Sequence, residues 1–415
     1  MSRFDFPANF IWGTATAAHQ VEGNNTNNDM WLMEHVEKSM FQEPSLDACD
    51  HYHRYSEDIA LLAKLGFNSY RFSIEWARVE PAEGHFSAAA IGHYRRMLQC
   101  CHSHGLRPFV TFHHFSSPQW LLQKGGWESD ATPALFARYC GRMASDLGDL
   151  ISGGCTINEA NIGRVLISSG LLPPMSQIRN APGWLEAAAQ LGISAATLNP
   201  FMFAVSEQGK AVVMAAHHQA VQAIRATGAT FPVGLTLAVQ DIVAGPGGET
   251  LAARHRQEVN EDYLTDLAGD DFVGVQCYTR HRYDATGPMP PEAGVELTQM
   301  GYEFWPEALA SSIRQAYASS GLPVLITENG LSTTDDSRRI DFVQRALQGV
   351  QACLEEGLPV MGYTYWSALD NFEWMLGYRP TFGLISVDRQ TQARTVKDSA
   401  IWLGNIARAN ALENP

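Results

Sequence analysis

Short apolar runs alternate along this chain with longer stretches in which apolar residues recur at helical spacing. Ile59, Leu62, Ala63 and Leu65, for example, repeat with the period of an amphipathic helix. Eight such strand–helix units follow one another. The predicted strands span residues 10–19, 69–76, 107–115, 155–160, 232–244, 271–280, 323–330 and 359–366. The predicted helices span residues 56–66, 88–104, 133–149, 200–228, 251–268, 306–320, 339–356 and 398–409.

Eight strand–helix units in series close most simply into one (β/α)8 barrel. A doubly wound open sheet is the alternative, and it would require a glycine-rich phosphate-binding turn after the first strand. Residues 18–23 read AHQVEG at that place, which is not such a turn. No composition break or low-complexity tract divides the chain. We therefore expect an α/β protein in which residues 1–415 form one catalytic domain, a single TIM barrel.

Four long connections follow predicted strands one, four, six and eight. They span residues 22–47, 164–198, 281–302 and 370–388. All four would lie at the C-terminal face of the barrel, where barrel enzymes place their active sites. The pattern therefore directs the search for function to the ends of the strands.

Composition and charge exclude several kinds of partner. Apolar residues make up 45% of the 415, which is enough for a large core, and the formal net charge is −15. So acidic a surface disfavours nucleic acid and anionic membranes. No apolar run approaches the roughly 20 residues that span a bilayer. Seven cysteines without a C-x-x-C pair, and an N-terminus without a signal-peptide pattern, favour a cytoplasmic protein.

Polar and aromatic residues gather at the predicted strand ends. They are Gln20, Glu22, Arg71, Glu75, Trp76, His113, His114, Asn158, Glu159, Gln276, Tyr278, Glu328, Asn329, Trp366, Glu373 and Trp374. A sugar ring requires this mixture, because polar groups bind its hydroxyls and flat rings cover its C–H face. We expect Glu75 to be structural, and Trp12, Trp76, Trp120 and Trp127 to belong to the core.

Barrel geometry predicts the distance between the carboxylates of Glu159 and Glu328, and this distance can be compared with those of known glycosidase mechanisms. Strands four and seven are three steps apart, and a barrel of eight strands places their Cα atoms ~14 Å from each other. Two inward-pointing glutamates then leave roughly 5 Å between their carboxylates. That separation is nearer to the ~5–5.5 Å of a retaining glycosidase than to the ~6.5–9.5 Å of an inverting one.

At these residues the chain resembles glycoside hydrolase family 1, the β-glucosidase family, over nearly its full length. The matching blocks are, in order, FIWGTATAAHQVEG at 10–23, DHYHRY at 50–55, YRFSIEW at 70–76, TINE at 156–159, ITENG at 326–330 and WSALDNFEW at 366–374. Single short blocks are weak signals. The nine-residue block with the others in the right order is a strong one.

The resemblance implies a retaining exo-β-glycosidase of the β-glucosidase type, acting on a small β-glycoside without a cofactor. In it Glu328 is the nucleophile, Glu159 the acid/base, and Arg71 supports Glu328. The implied substrate-binding residues are Gln20, His114, Asn158, Tyr278, Trp366, Glu373 and Trp374. A cis peptide bond is expected between Trp366 and Ser367. Glu373 indicates a non-phosphorylated sugar, because phospho-sugar enzymes of the family carry other residues there.

The chain also departs from the family pattern near the expected site. The departures are Ala160 for proline, Phe115-Ser116 for Trp-Asp, Gln276 for asparagine, Cys277 for tyrosine and Thr381 for a basic residue. They keep two other functions open: a transglycosylase with the same site, and a catalytically silent sugar-binding protein.

Paired histidines could suggest a metal site. They are His51 and His53, His113 and His114, and His217 and His218. No third ligand converges with any pair in the predicted fold, so no metal is expected.

Overall fold

Eight parallel strands close into a barrel in the computed structural model, which describes residues 2–414. The strands are β1 Ile11–Ala15, β2 Ser69–Ser73, β3 Arg107–His113, β4 Gly153–Ile157, β5 Val233–Ala238, β6 Phe272–Gln276, β7 Val324–Asn329 and β8 Val360–Trp366. Each strand pairs with the next along the chain, and Gly362 of β8 pairs with Ile11 of β1 to close the ring. The predicted (β/α)8 barrel is confirmed.

A principal helix follows each strand. These helices are α1 His51–Leu65, α2 Ala88–Ser103, α3 Thr132–Leu147, α4 Glu207–Ala226, α5 Glu249–Arg256, α6 Ala308–Ser320, α7 Asp336–Glu355 and α8 Asp398–Ala409. The helices are amphipathic; α3, for example, buries Phe136, Cys140 and Met143 against the core. The bounds of α8 agree with the prediction at both ends.

Among the predicted elements that were too long, two run across a break into a separate element. The stretch predicted as one strand over 232–244 is β5 followed by Asp241–Ala244, which pairs with Arg280–Asp284 in a separate three-stranded sheet. The helix predicted over 200–228 begins only at Glu207, because the side chain of Ser206 accepts a hydrogen bond from the backbone of Gly209 and starts a new helix there. Both errors arose because the apolar periodicity continues across the break.

The ends of the first two strands were also predicted wrongly. Strand β1 stops at Ala15, and Ala18–Val21 forms a helical turn. Strand β2 stops at Ser73, and Trp76–Val79 is again helical. At this face the chain leaves the barrel, so a continued run of apolar residues no longer indicates a strand.

Short elements fill the long connections of the C-terminal face. The helical ones are Asp29–His35, Gln119–Leu122, Gly126–Glu128, Ile162–Ser168, Met175–Ile178, Pro182–Leu191, Phe201–Phe203 and Trp374–Leu376. Helix α5 continues directly into the helical segments Gln257–Glu261 and Asp262–Leu264. The extended ones are Gly287–Pro288, Ile385–Val387 and Arg394–Val396. Ser2–Asp5 and Ala411–Asn414 pair antiparallel.

Large aromatic residues and one buried ionic cluster hold the barrel together. Trp12, Trp76 and Trp127 are fully buried, as predicted, whereas Trp120 is only half-buried against the core. His51 donates from Nδ1 to the carboxylate of Asp58 at 2.8 Å, and Arg394 also donates to Asp58. His51 is therefore a structural residue. No helix among residues 2–414 combines the length and the apolar character that a membrane crossing requires.

Candidate active site

Glu159 and Glu328 line one cavity of about 370 Å³ at the C-terminal end of the barrel, a volume typical of small-molecule sites. Glu328 lies on β7 beside Gln276 of β6. Glu159 follows β4 and has a left-handed backbone with φ 44°, which is rarely populated outside glycine. Thr236 fixes this turn, because it accepts from the Glu159 amide through its hydroxyl and from the Ala160 amide through its carbonyl.

Two donors hold the carboxylate of Glu328. Arg71 donates from Nη1 to Oε1 at 2.7 Å, and the hydroxyl of Tyr278 donates to Oε2 at 2.7 Å. The Arg71 and Glu328 side chains are 2% and 5% exposed, so water screens their attraction little. Each carboxylate oxygen of Glu328 thus has its own donor, and the orientation of the carboxylate is fixed. Glu159 has no comparable cationic partner within hydrogen-bond distance among the described residues.

Asn158 precedes Glu159 and is fixed through its side-chain oxygen. Its Oδ1 accepts from Nη2 of Arg71 at 2.5 Å and from Nε2 of Gln276 at 2.8 Å. Its Nδ2 is buried without a partner among the described residues. Because buried amide donors are nearly always satisfied, this N–H group is available to a hydroxyl in the cavity.

Burial and charge separate the two glutamates electrostatically. Burial raises the pKa of Glu159 well above its ordinary value, and the neighbouring charge of Glu328 raises it further. Burial also raises the pKa of Glu328, but Arg71, Tyr278 and Gln276 oppose this by stabilising the carboxylate. The proton of the pair therefore resides on Glu159 and the negative charge on Glu328.

The polar side of the cavity is formed around Glu373. Burial raises the pKa of Glu373 to about 8, and hydrogen bonds from Asn371 and Gln20 oppose the shift. Gln20 donates to the carbonyl of Phe372 at 2.7 Å and to Glu373 at 3.3 Å, and its Oε1 has no partner among the described residues. A carboxyl group and an amide oxygen are thus available here to ligand hydroxyls.

Aromatic rings cover the cavity beside these groups. His114 stacks on Trp366 with ring centroids 5.5 Å apart and lies 6.3 Å from Trp374. Burial lowers the pKa of His114 well below its ordinary value, so the ring is neutral. A cis peptide bond joins Trp366 and Ser367, as the family resemblance implied.

Eight of the ten predicted site residues line the cavity. They are His114, Asn158, Glu159, Tyr278, Glu328, Trp366, Glu373 and Trp374. The other two, Gln20 and Arg71, lie behind them and contact Glu373 and Glu328. Glu75 is buried, accepts from the hydroxyl of Ser116 at 2.8 Å, and does not line the cavity. Within residues 2–414, no group of three or more His, Cys, Asp or Glu is arranged to hold a metal ion.

An apolar wall was not anticipated from the sequence. It consists of Phe115, Ile162, Val165, Leu166, Leu171, Leu172, Met202, Met300, Met375, Leu376 and Phe382. Part of this wall is the helix Ile162–Ser168, which falls at the start of a predicted loop. The available signal was the spacing of Ile162, Val165 and Leu166 directly after Glu159, which places all three on one helical face.

Comparison with known proteins agrees with this architecture. The family model described as glycosyl hydrolase family 1 matches residues 2–412. β-Glucosidase A of Thermotoga maritima is 31% identical over 99% of this chain and 99% of its own length. The crystal structure of a β-glycosidase superposes with a TM-score of 0.95 at 54% identity, covering 99% of both chains. The apo structure of a β-glucosidase has a TM-score of 0.89 at 42% identity, covering 96% of this chain and 98% of its own.

A match over nearly the whole chain, together with the closed barrel and its acidic cavity, identifies the enzyme class. The chain belongs to glycosyl hydrolase family 1 and is a glycoside hydrolase.

Proposed function

We propose that this hydrolase is a retaining exo-β-glycosidase that cleaves non-phosphorylated β-D-glucosides, with Glu328 as the nucleophile and Glu159 as the acid/base. The observation that carries the proposal is the asymmetry of two carboxyl groups in one cavity. Glu328 is held as a carboxylate by Arg71 and Tyr278, whereas Glu159 retains its proton. A double displacement requires one group in each state before the first step.

In the first step, an oxygen of Glu328 attacks the anomeric carbon and the bond to the leaving oxygen breaks. Glu159 gives its proton to that oxygen, so the aglycone departs as a neutral alcohol. The ester that forms removes the charge of Glu328. Because that charge raised the pKa of Glu159, the pKa then falls and Glu159 becomes a better base. It takes a proton from water, whose oxygen attacks the anomeric carbon and releases the sugar with its β configuration.

The sugar contacts are those that the resemblance to the family implies. Three buried atoms without partners among the described residues support them: Nδ2 of Asn158, Oε1 of Gln20 and Nδ1 of His114. The free Nδ2 of Asn158 would donate to the 2-hydroxyl, and Gln20, His114 and Trp374 would bind the 3-hydroxyl side. Glu373 would accept from the 4- and 6-hydroxyls, and Trp366 would cover one face of the ring. Neither lysine nor arginine is among the described residues that line the cavity. A sugar phosphate would find no cationic partner there, which supports a non-phosphorylated substrate.

Hydrolysis of an aryl β-glucoside tests the proposal directly. We expect nitrophenol release by the wild type and its loss in Glu328→Gln. Glu356→Gln is the matched control, because Glu356 is an exposed glutamate paired with Arg314 on the outside of the barrel. NMR should show the β-anomer as the first sugar product. Sugar binding without turnover of any β-glycoside would contradict the proposal, and a product joined to an added alcohol in preference to water would indicate transglycosylation.

We further propose that the chain works as one catalytic domain on small glycosides in the cytoplasm, without nucleic-acid or membrane partners. All seven cysteines are unpaired, which suits a reducing compartment. The net charge of −15 repels anionic polymers and lipid headgroups. Cell fractionation should recover the activity with cytoplasmic markers.

A further inference from the structure

Beyond the polar groups around Glu373 and Glu328, much of the cavity wall is apolar. The helix Ile162–Ser168 begins three residues after Glu159. Its residues Ile162, Val165 and Leu166 line the cavity, followed by Leu171, which is 46% exposed at the edge. Because Glu159 protonates the leaving oxygen in the proposed reaction, the group attached to that oxygen must lie beside this wall.

Other connections add apolar side chains to the cavity wall. Met300 lies in the connection after β6, and Met375 and Leu376 lie in the connection after β8. The side-chain sulfur and methyl groups of these residues offer dispersion contacts but almost no hydrogen bonds. A leaving group in this part of the cavity would therefore contact mainly hydrocarbon and thioether surface.

Tyr302 presents a phenol hydroxyl to the cavity, and the other polar side chains on this side are largely engaged or neutral. Thr279 donates its hydroxyl to the carbonyl of Glu303 at 2.8 Å, and Gln240 donates Nε2 to the carbonyl of Ala238 at 3.2 Å. Burial lowers the pKa of His281 to about 4, so its ring carries no charge at neutral pH. A second sugar ring would leave several hydroxyls without partners here, and such unsatisfied groups oppose binding.

We propose that the leaving-group side of this site is specific for apolar aglycones, alkyl or aryl alcohols, and discriminates against a second sugar. The proposal rests on the β-glucosidase function proposed above and adds the class of substrate. Each methylene that is buried in the wall should raise kcat/KM by up to about fourfold, since the apolar area leaves water in the transition state as well as in the bound state.

A series of n-alkyl β-D-glucosides tests this, because primary alkoxide leaving groups have nearly the same basicity. From ethyl to hexyl glucoside we expect kcat/KM to rise at least tenfold, and hexyl glucoside to exceed cellobiose. A flat series, or cellobiose as the better substrate, would overturn the proposal. If no β-glucoside is hydrolysed, including aryl glucosides, the proposed function is contradicted as well. If β-glucosides are hydrolysed without dependence on chain length, only the inference about the aglycone is contradicted.

Two exposed leucines provide a matched pair of variants. Leu171 lines the cavity edge and is 46% exposed, whereas Leu185 is 48% exposed on the helix Pro182–Leu191 and does not line the cavity. In Leu171→Ser the hexyl-to-ethyl ratio of kcat/KM should fall at least threefold, and in Leu185→Ser it should keep the wild-type value. Equal ratios in both variants would contradict the wall's role. Circular dichroism melts confirm that both variants are folded.

Discussion

Gln276 donates from Nε2 to Oδ1 of Asn158 at 2.8 Å, and Arg71 donates to the same oxygen. Two donors on one oxygen fix the orientation of the Asn158 amide, so its nitrogen is the atom left for a ligand. Gln276 also helps to stabilise the carboxylate of Glu328. The glutamine that replaces the family's asparagine therefore connects the proposed 2-hydroxyl contact with the proposed nucleophile.

Loss of this amide should weaken catalysis in a substrate-dependent way. In Gln276→Leu we expect kcat/KM for an aryl β-glucoside to fall roughly 10- to 100-fold, because one hydrogen bond to a group that acts in the transition state is lost. The fall should be under about threefold for the 2-deoxy glucoside, which lacks the hydroxyl that Asn158 binds. Equal losses on both substrates would show that Gln276 acts through Glu328 and not through the 2-hydroxyl contact of Asn158. Gln276→Asn, which keeps an amide, should recover part of the activity.

Removal of the proposed acid should depend on the leaving group. In Glu159→Gln we expect kcat/KM for alkyl glucosides to fall by ~10²–10⁴, the usual contribution of general acid catalysis. Dinitrophenyl glucoside should be affected far less at its first step, because its leaving group departs without a proton. A plot of log kcat/KM against leaving-group pKa measures this, and the slope should become steeper in the variant. An unchanged slope would assign the acid to another residue.

Stability should change with pH because of Glu373. Burial raises its pKa from 4.5 to about 8, so between these values the folded protein binds a proton that the unfolded chain releases. The free energy of unfolding must therefore fall as pH rises through this window. Glu373→Gln removes the effect, and its Tm relative to wild type should be higher at pH 8 than at pH 5 by about 2 °C or more. Melts in matched buffers measure the difference.

The corresponding control is Glu356→Gln. Glu356 is exposed and its pKa is lowered by Arg314, so its removal should not make the protein more stable at high pH. A Tm difference for Glu373→Gln that stays constant or shrinks from pH 5 to pH 8 would mean that Glu373 is already ionised in the folded protein.

Much of the architecture could be predicted from the sequence. The count and order of eight strand–helix units and the bounds of Asp398–Ala409 followed from apolar spacing alone. The C-terminal ends of strands could not be predicted, because apolar residues continue past Ala15 and Ala238 into turns and a second sheet. What ends those strands is the tertiary position of the barrel mouth, which local periodicity does not contain.

The candidate site could also be predicted only in part from the sequence. Family motifs indicated Glu159 and Glu328, and the structure brings both to one cavity. The apolar wall was missed because residues such as Val165 and Leu166 have the spacing of ordinary core residues. Only the three-dimensional structure shows that they face a cavity instead of another helix. The role of Gln276 could not be predicted either, since its partner Asn158 lies 118 positions away in the sequence.

The direction in which azide reacts tests the central assignment most directly. In Glu328→Ala the nucleophile position is empty, so azide should attack from that side and give the α-glucosyl azide from an activated β-glucoside. In Glu159→Ala the covalent intermediate still forms, and azide should then give the β-glucosyl azide. NMR distinguishes the two anomers. We predict α from Glu328→Ala and β from Glu159→Ala; the reverse pattern would exchange the two roles, and no azide product from either variant would contradict the double displacement.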